Sequence, residues 1–344
     1  MYLIICARRT MVTIGDIAKE ANVSKTTVSR VLNNSSLVDE NTRQKITELI
    51  EKYNYVPSTI ARNLSKRESS TIGVIIPEID NPFFGEMLRG IMDTMEQVGL
   101  TVMCFNSGDK KEKDMKALAI LRQNGIKGLI YTPAIDYSGN EEQSMLKKWL
   151  QSLDSPVVVV DRELEFLQNA DGVFFDNELA AYKATEALIQ SGHKKIAIIN
   201  AELDRILARE RQRGYERALK EHNIEVNDKY IFLGDYTENK AYQLSKQCLN
   251  LEEKPTAVLT CNNNTTMGFF RAKKEIGIED SEIVCIGFDN IKALEFFDIN
   301  FNYIERSVYS MGKKAADLLL QRIKNPDQPR IKYIIEPKLV IKHI

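Results

Sequence analysis

The sequence is poor in the residues that build metal sites and disulfide frames. Its five cysteines, Cys6, Cys104, Cys248, Cys261 and Cys285, are odd in number and widely spaced, form no CxxC pair, and have only His193, His222 and His343 to assist them. No metal site or structural disulfide is therefore expected. Long apolar runs are also absent: Met1 to Ala7 and Val157 to Val160 fall far short of the roughly 18 residues that span a bilayer. In MYLIICARRT the arginines follow the apolar run, the reverse of a secretory signal, so a cytoplasmic protein without membrane contact is expected. GxSxG, P-loop, HExxH and GxGxxG patterns are missing, and three scattered histidines do not suggest acid–base work. Neither an enzyme nor a cofactor is anticipated.

Net charge is also small, with 47 Lys+Arg against 48 Asp+Glu, which excludes a polybasic tail or an acidic disordered chain. The balance is uneven along the chain. Residues 1–67 hold 11 Lys/Arg and 6 Asp/Glu, leaving 36 against 42 for residues 68–344. At roughly 100 to 200 residues per domain, 344 residues make two or three folded units, and the basic one comes first.

That basic segment reads as three short helices. Thr13 stands three residues before Asp16, a hydroxyl cap before a carboxylate, and Ile14, Ile17, Ala18 and Ala21 follow at helical spacing. After the break at Asn22-Val23, Ser24 caps a second helix, Lys25 to Leu32, with Thr27, Val28 and Val31 on one face and Lys25, Thr26, Ser29 and Arg30 on another. Two short helices joined by a minimal turn are a helix-turn-helix signature. Asp39 caps a third helix carrying Ile46, Leu49, Ile50 and Tyr53 at i, i+3, i+4, i+7. The second helix suits a DNA major groove, where Lys25, Thr26 and Arg30 can reach base edges. Thr13, Ser24, Thr27, Ser29 and Thr42, with Asn33 and Tyr55, are the right kind of residue for phosphate contacts. A plain three-helix bundle with a solvated face fits the same pattern. Beyond Val56-Pro57, residues 58–64 allow two marginal helical turns, in which Leu64 beside Arg62 suits a hinge that orders on DNA and wedges its minor groove.

The stretch TIGDIAKEANVSKTTVSRVLNNSSLVDENTRQKITELIEKYNYVPSTIARNLSKR resembles the headpiece and hinge of the lactose/galactose repressor (LacI/GalR) family of bacterial transcription factors, most specifically in its VSxxTVSRVLN core. By that resemblance Lys25 and Thr26 fall where the family reads bases, Arg30 matches its base-contacting arginine, and Leu64 matches its minor-groove leucine. The resemblance implies a homodimer on a palindromic operator, an all-α helix-turn-helix headpiece over residues 11–57, a hinge helix and linker over 58–70, and a core over 71–344. Residues 1–10 are an extension, disordered if Met11 is the true start.

From Thr71 onward, β-branched runs alternate with helical stripes such as Phe84, Met87, Leu88, Ile91, Met95, Val98. The runs are Ile72 to Ile76, Thr101 to Phe105, Gly128 to Tyr131, Val157 to Val160, Val173 to Phe175, Ile196 to Ile199, Ala257 to Thr260 and Ile283 to Ile286. Such alternation predicts parallel sheets covered on both faces. The length predicts an α/β core of two doubly wound lobes, one near 71–172 and 305–335, the other near 173–304 and 336–344. Ligands of such sheets sit beyond the strands' carboxyl ends. Aromatic and polar residues stand there: Phe83 and Phe84, Asp161 and Arg162, Asn262, and Asp289. A sugar-like small molecule needs that mixture, although each residue alone is also an ordinary turn, cap or core residue.

SSTIGVIIPEIDNPFF, VVVVDRE, SGHKKIAII, ARERQRGYERAL, CNNNTTMG and CIGFDN again resemble the family, whose core is periplasmic-binding-protein-like. The resemblance implies that Phe83 and Phe84 flank an effector ring, that Asp161, Arg211, Asn262 and Asp289 bind its polar groups, and that Tyr236 adds an aromatic platform. Two departures stand out: Asn263 replaces a common aspartate, and Arg306 stands where a glutamine often sits. With Arg162, Arg209 and Arg211, both favour an acidic or phosphorylated sugar; pairing of Arg306 with a local acid such as Glu305, or a place for it in the lobe interface, is the alternative. The expectation is thus an effector-controlled repressor, favoured as a dimer because no leucine-heptad tail follows. A catabolite-type regulator governed by a phosphorylated carrier protein and a free-standing sugar-binding protein are the competing readings.

Overall fold

The computed structural model describes residues 12–32, 34–55, 69–134, 137, 139–279, 282–296, 299 and 301–342. The chain divides into two compact units, Met1–Ser69 and Ser70–Ile344. The hinge expectation at 58–68, including Arg62 and Leu64, and the expectations for Asn33 and for residues 1–11 lie outside the described residues.

In the first unit, helices α1 (Ile14–Ala21), α2 (Lys25–Leu32) and α3 (Glu40–Lys52) begin where local chemistry dictates. Thr13 and Asp16 form a reciprocal capping box, in which the Asp16 carboxylate accepts from the Thr13 amide at 2.8 Å. Asn22 ends α1 in the left-handed conformation, which its short polar side chain tolerates. Ser24 Oγ accepts from the Thr27 amide at 3.1 Å, and Asp39 Oδ1 from the Thr42 amide at 2.9 Å. Ile17, Ala18, Ala21, Val28, Val31 and Ile46 close the core. Of the α3 stripe only Ile46 is fully buried; Leu49 and Ile50 are half-buried, and Tyr53 turns its hydroxyl to Glu20 at 2.6 Å.

The second unit holds two six-stranded sheets. The first has the order β11-β5-β4-β3-β1-β2 and is parallel throughout. It is built from β1 (Thr71–Ile76), β2 (Thr101–Asn106), β3 (Gly128–Tyr131), β4 (Val157–Val160), β5 (Asp171–Phe175) and β11 (Lys332–Ile335). The second has the order β12-β10-β9-β8-β6-β7, with only β12 antiparallel. Its strands are β6 (Ile196–Ala201), β7 (Ile231–Gly234), β8 (Ala257–Thr260), β9 (Val284–Phe288), β10 (Asn302–Glu305) and β12 (Lys338–Val340). Helices α4 (Pro82–Gln97), α5 (Lys111–Asn124), α6 (Asn140–Gln151) and α12 (Val308–Lys324) accompany the first sheet. Helices α7 (Asn177–Gln190), α8 (Ile206–Glu221), α9 (Glu238–Leu249), α10 (Asn263–Ile276) and the short α11 (Lys292–Glu295) accompany the second.

The lobe limits differ from the sequence expectation. Val173 to Phe175, expected to open the second lobe, belong to β5 and pair with β4 and β11 of the first sheet, so the chain first crosses at Asp176. Glu305, expected in the first lobe, ends β10 of the second sheet, paired with Lys338 of β12. The last two strands, β11 and β12, lie in different sheets, because the chain crosses again after β11.

Helices α4 and α12 lie unusually close. A Cβ on Gly312 would sit 2.0 Å from the Met87 carbonyl oxygen, and one on Gly90 would sit 2.3 Å from that of Tyr309. Only hydrogen fits at either point, and the neighbouring Met87, Ile91, Met311 and Ala315 then bury against the same core. Gly312→Ala is expected to force the helices apart at a cost of about 1 to 3 kcal/mol, read as a lowered urea midpoint of the core; an unchanged midpoint would show that the helices separate freely.

Candidate functional site

On the headpiece, α2 buries Val28 and Val31 and leaves Lys25, Thr26 and Arg30 exposed, with Ser29 half-buried. The helix contains no acid, so its outer face carries two cations and small hydroxyls. That is the surface a polyanion would meet. Several residues expected to touch phosphate have local duties as well. Thr13 Oγ1 donates to Asp16 at 2.7 Å, and the hydroxyls of Ser24 and Thr27 share a hydrogen bond of 2.9 Å. Thr42 lies in the first turn of α3, and Tyr55 packs half-buried on the headpiece core.

In the core, the strands' carboxyl ends border a cavity of about 350 Å³. Its apolar side is Phe83 and Phe84, whose rings meet edge to face at 5.0 Å. Asn81 positions them by capping α4, its Oδ1 accepting from the Phe83 amide at 3.1 Å. Asp161, Arg162, Arg211, Tyr236, Asn262 and Arg306 also line it, as expected from sequence. Asp289 does not: it lies behind Arg306 and is 8% exposed. Asp161, Tyr236 and Asp289 all adopt left-handed backbone, a strained choice for non-glycine residues that clusters at binding sites.

Most of the expected positive charge is paired within the protein. Arg306 donates through Nε to Asp289 Oδ1 at 2.6 Å and through Nη2 to the other oxygen, while its Nη1 lies 3.7 Å from Asp161. Glu305 instead pairs with Lys338 at 2.9 Å. Arg162 donates to Asp109 and to the Pro133 carbonyl at 2.9 Å, and Arg205 approaches Asp109 at 3.5 Å. Burial opposes both the Arg162 and Arg306 charges, but the nearby carboxylates, Asp109 with Asp161 for the one and Asp289 with Asp161 for the other, together raise the guanidinium above its usual value. Arg211 is held by neutral acceptors, Asn177 Oδ1 at 2.8 Å and the Cys261 carbonyl, with its plane 4.2 Å from the Phe288 ring centre. Arg209 turns away, donating to the Leu203 and Asp204 carbonyls.

Aromatic and amide groups complete the cleft. Tyr236 donates to Asn200 at 2.8 Å, and burial raises its hydroxyl above the ordinary value. Asn262 is occupied in capping α10, with its amide donating to the Tyr236 carbonyl at 3.2 Å. Asn263 reaches across to Asn81 at 2.7 Å. Asp109 and Arg205 were not anticipated as ligand-facing residues. Nor was Asp114, whose buried carboxylate accepts from Tyr131, Tyr137 and the Ala134 amide and so fixes the loop presenting Pro133 to Arg162. A larger groove, about 790 Å³, opens at the amino ends of β4 and β5, but its buried pair, Arg322 and Asp171, is satisfied internally and by backbone carbonyls.

Among the described residues, no cluster of His, Cys, Asp and Glu could hold a metal and no helix is long and apolar enough to cross a membrane. Asp109→Asn would remove the carboxylate that Arg162 and Arg205 share, leaving Arg162 only the more distant Asp161 at 4.0 Å. A loss of about 2 kcal/mol of core stability is expected, less than for a fully buried pair because both partners touch water; a denaturation midpoint equal to the parent's would remove Asp109 as the balancing group.

Comparison with known proteins agrees with this geometry. The model for bacterial regulatory proteins of the lacI family matches residues 13–58, and that for periplasmic binding proteins and the sugar binding domain of the LacI family matches residues 69–343. The HTH-type transcriptional repressor PurR of Vibrio atlanticus is 33% identical over 331 residues, covering 96% of this chain and 97% of the relative. Catabolite control protein A of Priestia megaterium is 34% identical over 314 residues, covering 90% and 91%. The solved lac repressor dimer, bound to operator and an anti-inducer, matches with a TM-score of 0.84 at 25% identity over 96% of this chain and 98% of that one. A helix-turn-helix presenting Lys25 and Arg30, followed by two parallel lobes around a ligand-sized cleft, belongs with these matches: the chain is a member of the LacI family of bacterial transcriptional regulators.

Proposed function

We propose that this protein is a repressor that binds a palindromic operator as a homodimer in the cytoplasm and is controlled by a small, neutral, sugar-like effector in the interlobe cleft. The observation that carries the DNA half is the acid-free outer face of α2, with Lys25, Thr26 and Arg30 exposed together. Arginine can fork onto a guanine edge, and threonine can meet either a hydrogen-bonding group or a thymine methyl. One such helix reads a half-site, so two chains related by a two-fold axis read a palindrome.

The effector half rests on the cleft's size and its charge balance. A volume of about 350 Å³ suits a molecule of one or two rings. The edge-to-face pair Phe83 and Phe84 offers an apolar surface for C–H groups, while Tyr236 and the arginines offer hydrogen bonds. Because Asp109 faces Arg162 and Arg205, and Asp289 holds Arg306, a ligand need bring no charge of its own. Binding that favours one lobe arrangement is linked reciprocally to operator affinity.

Selection from randomised DNA is expected to return an inverted repeat. Arg30→Ala is expected to weaken binding to it by about 1 to 3 kcal/mol and relax the preference at one base pair per half-site; an unchanged affinity and footprint would falsify the groove assignment. A thermal-shift panel tests the effector, since a ligand at about 100 times its dissociation constant adds about 2.7 kcal/mol of stability. A neutral sugar is expected to give the shift; a response confined to sugar acids or phosphates would overturn the neutral class.

A further inference from the structure

We propose that Arg306 is a built-in occupant of the cleft: its guanidinium takes the seat a cationic ligand group would take between Phe83, Asp161 and Asp289, and so clamps the two lobes. The backbone of Arg306 lies on a crossover, between β10 of the second lobe and α12 of the first. Its side chain is only 5% exposed. The guanidinium lies 4.0 Å from the Phe83 ring centre, within reach of Phe175 at 5.7 Å and Phe288 at 6.0 Å. Flat cation on aromatic face, with a two-pronged carboxylate behind, is how proteins bind a guanidinium.

The partners come from both lobes. Phe83 and Asp161 belong to the first, through α4 and the end of β4; Asp289 belongs to the second, just after β9. Asp161 Oδ1 is buried and accepts no hydrogen bond; the Arg306 charge at 3.7 Å faces that oxygen, while Arg162 lies 4.0 Å from Oδ2. Without the guanidinium, Asp289 would lose its two-pronged partner and Asp161 would keep only Arg162 at 4.0 Å, and the desolvation of both carboxylates would favour opening the cleft to water. Two further contacts cross the same cleft, Asn81 with Asn263 and Asp109 with Arg205. Of the three, Arg306 is the contact that brings a carboxylate of each lobe to one cation, as Asp109 brings a guanidinium of each lobe to one anion.

The clamp has a consequence for specificity. Asp161 and Asp289 are committed to Arg306 and are not available to a ligand's donors unless the guanidinium leaves. A ligand bearing an amidine or guanidine competes with Arg306, whereas a neutral one is read by the groups around it. The clamp does not depend on the repressor reading, and its test needs no DNA.

The test is amide hydrogen exchange of the full chain, with Arg306→Ala compared with the parent. Exchange at the Asp161 and Asp289 amides, which bond the Val173 and Ile304 carbonyls, is expected to rise by at least about tenfold in the variant. Millimolar ethylguanidinium chloride is expected to restore the protection, while ethylammonium chloride at equal ionic strength is not. Unchanged exchange in the variant, or equal rescue by both salts, would overturn the proposal. If Arg306→Ala does not fold, Arg306→Lys keeps the charge and stem but loses the fork; protection equal to the parent's would then overturn it, and faster exchange slowed by ethylguanidinium would sustain it.

Discussion

Parallel strand pairing forces each return of the chain to run over a face of the sheet, and here it places the loops that follow the strands of both lobes against one cleft. Everything else in the core answers to that constraint. Phe83, Asp161, Arg205, Tyr236, Asn262 and Asp289 come from six separate strand ends, yet they face or back the same space. The helices must pack closely enough to hold the strand ends in register, which is why α4 and α12 meet through Gly90 and Gly312 with no room for a methyl group.

A cleft assembled in this way gathers charge from distant segments, and that charge has to be balanced locally because water is scarce there. Asp109 is shared by Arg162 and Arg205, Arg306 is shared by Asp289 and Asp161, and Arg211 relies on carbonyl and amide oxygens with Phe288 beneath it. Single removals leave buried charges unmatched and are costly, although a well-paired network contributes little net stability. The arrangement therefore specifies geometry more than it strengthens the fold.

Local features were legible in the sequence and distant pairings were not. The caps at Thr13, Ser24 and Asp39 involve residues three apart, so their residue types announce them. Strands buried on both faces, such as Val157–Val160, read as plain apolar runs. The edge strand Ile231–Gly234 is as apolar in sequence although buried only at alternate positions, whereas Asn302–Glu305 carries Asn302 into the interior and shows no such run. Which lobe owns Val173 or Lys338 depends on strand pairing alone. Arg306 illustrates the same limit at the site: its unusual presence was visible, but its partner Asp289 stands 17 residues away on a neighbouring strand end, while the adjacent Glu305 turns to Lys338. Asn81 and Asn263, 182 residues apart, meet only because the lobes do.

The crossings also set an order of completion during synthesis. The first lobe begins to emerge at Thr71, but its sheet lacks β11 until residue 335, and α4 lacks its partner α12 until residue 324. The second lobe, begun a hundred residues later, is contiguous from α7 through β10 and lacks only the three-residue β12. The lobe translated first is thus still missing a helix and a strand when the second lacks only its last short strand. Until both emerge it exposes the α4 face bearing Met87 and Ile91 and the unpaired edge of β5, the kind of surface on which nascent chains associate wrongly. A ribosome that pauses after Glu305 would hold a nearly complete second lobe beside a first lobe still open along one side.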